Sequence, residues 1–471
     1  MARFRLFIEN FLIYGLGGVL GKIIPFIMLP IITRLMPNSF YFGLSDISTV
    51  IISFGQAIAI MGMYDAMFRM FFEKEDQSYQ EKVCSTALSF TMMTSVFIFV
   101  LMLVFQKQLA ELFFSDVQYT NLLCLTAISV LIGSTNSIVG APTRMENKRK
   151  IYLLTNILSP VISYSVSVPL LLNGYYVIAL PLASAVAALS TEIIFAVLNH
   201  KWFKFEIDKS LLKQMLKIAL PLVPNFLVYW VFNSCDRLMI SKLIGTEWSG
   251  IYAVGAKIGQ ASQLIYTAFA GGWQYFAFST MKDEDQVQLN SSIFEYLGVI
   301  TFCAGIFMAA ISRPLFTILF SEEYIAGYIV MPYLFVAPLL LMLYQVVVNQ
   351  FLVIKKTWPS VIVLAFGALV NVGLNYLLIP RIGIEGAAIG TLLGYVFAII
   401  GVVIILSIMR LVEISRRFLI SVFLFGAFFL IWRLFILDNL IISMIFAIII
   451  ILLYLLLYKE EIFKIITKIK K

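Results

Sequence analysis

Long apolar segments recur along the whole chain and limit its fold more strongly than any other feature. A helix needs about 20 apolar residues to cross the hydrocarbon core of a bilayer. Hydrophobic residues make up 61% of the chain and charged residues 13%, whereas a soluble domain carries about 25% charged residues. A soluble enzyme, a secreted disulfide scaffold and a disordered chain are therefore excluded, and the sequence predicts an all-α polytopic membrane protein with about 14 transmembrane helices. The apolar runs lie at 11–32, 42–63, 84–105, 121–142, 151–172, 175–198, 216–235, 250–272, 293–312, 328–352, 359–379, 384–408, 417–437 and 440–458.

Lysine and arginine residues are divided unequally between the two sets of loops. Of the 34 residues, 25 fall on the side of the N-terminus, 7 fall in the opposite loops, and Lys22 and Lys257 lie within apolar runs. Because loops rich in Lys and Arg stay in the cytoplasm, the sequence predicts that both termini are cytoplasmic. The same bias accounts for the net charge of +8 without a nucleic-acid partner.

A weak internal repeat suggests how the helices are grouped. Arg34 precedes Gly43 by nine residues at the start of the second span, and Lys242 precedes Gly250 by eight at the start of the eighth. Two six-helix halves that both begin in the cytoplasm are parallel repeats, related by an axis along the membrane normal. The sequence thus predicts an N-terminal lobe at 1–200, a C-terminal lobe at 201–410, and two additional helices with a basic cytoplasmic tail at 411–471.

Prolines occur in pairs in the first helix of each predicted lobe, as Pro25 with Pro30 and Pro221 with Pro224. A proline removes a backbone hydrogen bond that lipid cannot replace, so neighbouring protein or water must satisfy the freed carbonyl group. The pairs indicate either ordinary kinks or helices that bend around a cavity.

Charged residues within or beside the apolar runs are the candidate functional residues. A charged side chain at mid-bilayer costs a few kcal/mol or more, so it usually faces a polar cavity or a partner. Cationic residues favour an anionic substrate such as a pyrophosphate; snorkelling to the membrane edge and structural ion pairs are the alternatives. The predicted substrate-binding cations are Lys22, Lys257, Arg69 and Arg237, and the predicted coupling or gating acids are Glu192 and Asp236.

The sequence predicts no cofactor, no metal site and no catalytic site. Its four cysteines lie in or beside apolar runs, without the short spacing that metal ligands have. The single histidine, His200, lies in a lysine-rich loop, and the chain contains no phosphate-binding GxxxxGK[ST] motif. Any chemistry is therefore expected within the membrane or at its two faces.

Several short motifs occur in order along the chain. They are GMYDAMFR at 62–69, ALPLVP at 219–224, Cys235-Asp236-Arg237, Gly250-Ile251-Tyr252, Asn371 with Asn375 and Ile379-Pro380, and Gly386-Ala387-Ala388. Together they resemble the Wzx-type polysaccharide repeat-unit (O-antigen) flippases of the multidrug/oligosaccharidyl-lipid/polysaccharide exporter (MOP) superfamily. The segment 36–43 departs from that family, which usually has an acidic residue and then Tyr-Gly there.

The resemblance implies two MATE-like six-helix lobes around a central cavity, plus two extra helices. It also implies a flippase of the bacterial plasma membrane, not an enzyme, which moves an undecaprenyl-pyrophosphate-linked oligosaccharide to the outer leaflet by alternating access. The implied partners are that substrate, the lipid bilayer and polysaccharide polymerase machinery.

Three other functions stay open at this stage. A cation-coupled multidrug exporter would have the same fold but would favour acidic residues in its cavity. A membrane polymerase or glycosyltransferase would need a large outer loop with catalytic groups, and the outer loops here are short. A structural membrane scaffold would leave Lys22 and Lys257 without a role.

Overall fold

The computed structural model describes residues 21–461 except 282, 357 and 438, and also residue 463. Twelve of the helical segments in this part of the chain are long and apolar enough to cross a membrane. The protein is therefore an all-helical, multi-pass membrane protein, as predicted. Residues 11–20 of the first predicted span and most of the predicted basic tail lie outside the described residues.

The helices are α1 (21–35), α2 (Ser39–Ile60), α3 (Met63–Phe71), α4 (Gln77–Val104), α5 (Gln106–Phe114), α6 (Thr120–Met145), α7 (Arg149–Leu172), α8 (Ala179–Asn199), α9 (Lys209–Ala219), α10 (Val223–Trp230), α11 (Asp236–Leu243), α12 (Thr246–Gly259), α13 (Gln263–Ser279), α14 (Gln286–Leu319), α15 (Met331–Val353), α16 (Trp358–Ile382), α17 (Ile384–Ile408), α18 (Arg416–Ile431) and α19 (Leu440–Leu457).

The seventh and eighth predicted spans are interrupted helices. The seventh consists of α9, a 3-10 turn at Leu220–Leu222, α10, a π-helical turn at Val231–Cys235, and α11. The predicted proline pair accounts for the 3-10 turn, because proline has no backbone N–H to donate within an α-helix. The eighth span consists of α12, a 3-10 turn at Gln260–Ser262, and α13.

Short polar side chains start several of the helices by accepting backbone N–H groups of the first turn. Asp76 does so for α4, Ser415 for α18 and Asn439 for α19. Asp208 accepts two such N–H groups at the start of α9, and these hydrogen bonds lower the pKa of its carboxyl group.

The chain divides into two compact units, of which the first ends at Ala253 and the second begins at Val254. The first unit thus includes the seventh predicted span. One of its apolar clusters joins α3, α4 and α9, and another joins α2, α5 and α6. The lobe boundaries derived from the repeat, 1–200, 201–410 and 411–471, stay a prediction.

The connection between α8 and α9 is held against the first unit. The Trp202 side chain is buried, and its ring centroid lies 5.2 Å from that of Phe71. Lys201 Nζ lies 2.6 Å from Glu146 Oε1, and Lys148 also pairs with Glu146. Burial alone would raise the pKa of Glu146, but the two lysines outweigh burial and hold that pKa below its usual range.

In the second unit, a buried carboxylate joins three helices. Glu385, near the start of α17, is 3% exposed. Arg433 Nε lies 2.7 Å from both of its carboxylate oxygens, and the Tyr333 hydroxyl of α15 donates to Oε1 over 3.0 Å. Arg433 belongs to a π-helical turn that continues α18. The pair therefore fixes the thirteenth predicted span to the rest of this unit.

A second set of contacts fixes the other end of α18 and the end of α19. The Tyr458 hydroxyl donates to Glu295 Oε1 of α14 over 2.8 Å, and Arg417 Nη2 lies 3.6 Å from the same oxygen. A side chain at Gly298 would overlap the ring of Phe418. The glycine thus allows α18 to pack directly on α14.

Candidate functional site

A buried ion pair joins the second and seventh predicted spans. Arg237 Nη1 of α11 lies 3.3 Å from Asp46 Oδ1 of α2. Asp46 is 3% exposed and Arg237 is 9% exposed. Burying two charges is costly unless they pair closely, so this contact is a strong constraint on how α2 and α11 pack.

A second carboxylate completes the cluster. Asp236, 4% exposed, accepts the backbone N–H of Arg237 over 2.8 Å and also accepts the Tyr252 hydroxyl of α12. The Ser249 hydroxyl donates to the Arg237 carbonyl oxygen over 3.2 Å. Four residues on three helices, Asp46, Asp236, Arg237 and Tyr252, thus form one buried polar group, which we call the latch.

Local chain geometry places the latch residues on α11. The π-helical turn Val231–Cys235 ends immediately before Asp236. A π-helical turn inserts one extra residue per turn and so rotates the residues that follow it around the helix axis. Before this turn, Trp230 of α10 donates to Ser53 Oγ of α2 over 3.1 Å, so the seventh span contacts α2 on both sides of the turn.

Two glycines bring the ends of α2 and α12 into backbone contact. A Cβ atom on Gly43 would lie 3.1 Å from the Gly250 nitrogen and would overlap the Thr246 carbonyl oxygen. A Cβ atom on Gly250 would lie 2.9 Å from the Gly43 nitrogen and would overlap the Ser39 carbonyl oxygen. These are the two glycines at equivalent positions of the sequence repeat. The two helix ends that the sequence repeat relates therefore meet each other.

Other predicted site residues lie apart from the latch. Lys22 on α1 and Arg69 on α3 are exposed in the first unit, and Lys257 on α12 is exposed in the second. Glu192 on α8 is half-buried, and Thr135 of α6 donates a hydrogen bond to it. Of the six predicted residues, the structure brings only Asp236 and Arg237 together among the contacts of the described residues.

Three residues of this region have roles that the sequence does not predict. Asp46 is the only charged residue of the second apolar run, 42–63, so the criterion that selects Lys22 also selects Asp46. Gly43 was noted for its position in the repeat, but nothing local indicates that it touches Gly250. Tyr252 was noted as part of a motif, and its hydrogen bond to Asp236 depends on how α12 packs.

A family model described as "Polysaccharide biosynthesis protein" matches residues 31–327, more than half of the chain. Among proteins with curated functions, none matches this sequence.

Solved structures share the fold at low sequence identity. The structure of the lipid II flippase MurJ in an inward closed conformation is 14% identical, with a TM-score of 0.74, over 97% of this chain and 100% of that one. An inward-facing multidrug resistance MATE family transporter of the MOP superfamily is 17% identical, with a TM-score of 0.61, over 84% and 98%. The MATE multidrug transporter DinF-BH is 15% identical, with a TM-score of 0.63, over 86% and 96%. The chain therefore belongs to the polysaccharide biosynthesis protein family and has the MATE-like fold of the MOP superfamily.

Proposed function

We propose that this protein is a flippase that moves an undecaprenyl-pyrophosphate-linked oligosaccharide from the cytoplasmic to the outer leaflet of the bacterial plasma membrane. The observation that carries the proposal is the extent of the structural agreement in a chain of the polysaccharide biosynthesis family. The lipid II flippase aligns with 97% of this chain, whereas the two MATE transporters align with 84% and 86%. The chain thus shares more of its length with a lipid-linked substrate carrier than with drug exporters.

The physical task is to take a charged, hydrated head group through a hydrocarbon layer. Each unsatisfied polar group costs several kcal/mol in hydrocarbon, so the sugar and the pyrophosphate need a hydrated protein surface. The polyprenyl chain is apolar and stays in lipid. Cationic side chains suit the pyrophosphate, because ammonium and guanidinium groups donate charge-assisted hydrogen bonds to its oxygens. In this proposal Lys22, Arg69 and Lys257 supply those donors.

Transport also needs a barrier that opens on one side at a time. Gly43 follows Arg34 by nine residues and Gly250 follows Lys242 by eight, and the charge distribution predicts that these two cations are on the outer side. In this proposal the contact of Gly43 with Gly250 and the latch form the outer gate, and the contact exists only when that gate is closed. In this arrangement Asp236 and Arg237 act in gating, since their charges already bind each other and Asp46. Opening the gate would deliver the oligosaccharide to the polymerase machinery outside.

Deleting the gene tests the substrate. We expect a lipid-linked saccharide to accumulate in the cytoplasmic leaflet, and mass spectrometry of extracted lipids to identify it. Restoring the wild-type gene should remove the accumulated saccharide. A gene that carries both Lys22→Ala and Lys257→Ala should not remove the saccharide, even when the variant protein is present at the wild-type level. Lys107→Ala removes an exposed lysine outside these sites and is the matched control.

Two results would contradict the proposal. The first is a deletion strain with unchanged lipid-linked saccharides and normal surface polysaccharide. The second is a purified protein that is stabilised by cationic drugs and not by a polyprenyl-pyrophosphate saccharide, which would identify a multidrug exporter. Full export by the double lysine variant would leave the proposed function intact. It would show that Lys22 and Lys257 are not the residues that bind the substrate.

A further inference from the structure

Three lysines of α9 form a stripe along one side of the helix. Lys209, Lys213 and Lys217 follow one another at intervals of four residues and are exposed, and residues at this spacing are neighbours on a helix surface. The other side of α9 packs on α3 and α4 through Leu211 and Met215, which are buried. The fold of the first unit therefore directs the three ammonium groups away from its core.

These ammonium groups have no ion-pair partner within the part of the chain that the structure describes. Other lysines just before α9 do have one. Lys201 Nζ lies 2.6 Å from Glu146 Oε1, and Lys204 Nζ lies 2.8 Å from Glu81 Oε2. Helix α9 itself contains no acidic residue. The stripe thus carries positive charge that its own unit does not compensate, so a ligand of the stripe is expected to be anionic.

Contacts at both ends of α9 place it at the edge of the membrane. At its start, the backbone N–H of Asp208 donates to Thr86 Oγ1 over 3.1 Å, and Thr86 belongs to the first turn of the third apolar run. At its end, a Cβ atom on Gly62 would lie 2.7 Å from the Ala219 carbonyl oxygen, and Gly62 lies at the end of the second apolar run. The seventh span, Lys209–Leu243, has 35 residues, whereas about 20 cross the hydrocarbon core. Helix α9 therefore lies at the level of the lipid head groups.

The side of the helix that carries the lysines continues into exposed apolar residues. Leu220 follows Lys217 by three residues and is 46% exposed, and Pro224, four residues further, is also exposed. Apolar side chains are unfavourable in water, whereas acyl chains are an apolar environment. This side of the chain is therefore expected to contact lipid. We call Lys209, Lys213, Lys217 and Leu220 the basic face.

We propose that the basic face binds anionic phospholipids of the leaflet in which α9 lies, which the charge distribution predicts to be the cytoplasmic one. The ammonium groups donate charge-assisted hydrogen bonds to the head-group phosphates, and Leu220 contacts the acyl chains. A helix at the membrane interface with lysines on its polar side binds anionic lipids in this way. The lipids anchor the α9 end of the seventh span directly before the 3-10 turn at Leu220–Leu222. This binding is independent of the substrate that the protein carries.

Fluorescence quenching beside the basic face tests the proposal. A bimane label is attached to Gln214→Cys, an exposed position of α9, in full-length protein whose native cysteines are changed to alanine. This labelled parent protein is placed in lipid nanodiscs without substrate. A small, fixed fraction of either phosphatidylglycerol or phosphatidylcholine carries a nitroxide quencher on its acyl chain. The ratio of the two quenching efficiencies then gives the preference for the anionic lipid at α9.

We expect phosphatidylglycerol to quench the label more strongly than phosphatidylcholine does. A lysine near an anionic membrane surface contributes about a fivefold preference. The single substitution Lys213→Gln should therefore lower the preference by about fivefold. The combined variant Lys209→Gln, Lys213→Gln and Lys217→Gln should show no preference.

The matched control removes the same number of positive charges elsewhere. It combines Lys355→Gln, Lys356→Gln and Lys459→Gln, which are exposed positions of the second unit on the predicted cytoplasmic side. The control should keep the preference of the parent protein. Equal quenching by the two lipids in the parent would overturn the proposal. An equal loss of preference in the control would also overturn it, because the preference would then follow the net charge and not the basic face.

Sodium pyrophosphate distinguishes a lipid head group from a free anion of the same chemistry. We expect it to lower the preference no more than sodium chloride of equal ionic strength does. If pyrophosphate removes the preference where sodium chloride does not, the basic face binds free pyrophosphate groups and the lipid proposal is wrong.

A salt series on protein with all three lysines covers the case in which the combined variant does not fold. The preference should fall as sodium chloride rises from about 0.05 M to about 0.5 M, because salt screens the attraction between exposed charges. A preference that does not change with salt would overturn the proposal. All of these measurements are made without substrate, so their failure leaves the flippase proposal intact. Likewise, a negative result in the deletion strain leaves the lipid site intact.

Discussion

Gly43→Ala tests whether the contact between α2 and α12 is a gate. The added methyl group would lie 3.0 Å from Thr246 Cγ2 and would overlap the Thr246 carbonyl oxygen. Since atoms in ordinary contact are about 3.5 Å apart, the two helices must separate by about 1 Å. Overpacking of this kind costs about 1–3 kcal/mol. If the contact exists only in the closed state, the ratio of open to closed molecules rises by about 5- to 150-fold.

Alkylation of a buried cysteine measures the change. Ser45, beside the latch on α2, is 6% exposed, and Ser45→Cys in a cysteine-free background should react with a maleimide only when the helices separate. The rate then follows the population of the open state. We expect Gly43→Ala to raise the rate by the factor given above. Gly250→Ala, which meets the Ser39 carbonyl oxygen, should act in the same direction.

Gly373→Ala is the matched control, because outside the backbone of its own helix no atom of the described residues lies within 4 Å of a Cβ atom at that position. It should leave the alkylation rate unchanged. If Gly43→Ala and Gly250→Ala fold normally by gel filtration and still react at the parent rate, the contact is not a gate and the reasoning fails.

Two further predictions concern stability. Glu385→Gln removes the carboxylate that Arg433 and Tyr333 share. We expect the free energy of unfolding to fall by about 1–3 kcal/mol, with a lower midpoint of thermal unfolding in detergent. The control variant Glu322→Gln, at an exposed site, should leave the midpoint unchanged. Trp202→Ala removes a buried ring and should destabilise the connection between α8 and α9 by about 3–5 kcal/mol, so limited proteolysis should cleave this connection faster. The control is Phe205→Ala, because the Phe205 ring is 86% exposed. Equal cleavage of the two variants would show that Trp202 does not hold the connection.

The position of most long apolar helices along the chain could be predicted from the sequence. The last apolar run, 440–458, agrees within one residue with α19, and the run at 384–408 agrees with α17. Interruptions were harder to predict. The proline pair signals the break between α9 and α10, but the π-helical turn at Val231–Cys235 contains no proline or glycine that would signal it.

The candidate site was predicted only in part. Asp236 and Arg237 stand out as adjacent charges at the end of an apolar run, and both belong to the latch. Asp46 was missed although it is a charged residue within an apolar run. Whether Lys22, Arg69 and Lys257 share one binding surface stays a prediction, since each is exposed on a different helix.

What the sequence by itself determined is the class of the protein and the position of its spans along the chain. Transfer of a segment into a bilayer depends on the length and polarity of that segment alone, so each span can be read locally. Only the tertiary structure decided that Asp46 meets Arg237, 191 residues away, and that Gly43 meets Gly250. Such pairs depend on which helices pack together and on the rotation of each about its own axis, and a one-residue change, such as a π-helical turn, alters that rotation while leaving the hydrophobic pattern intact.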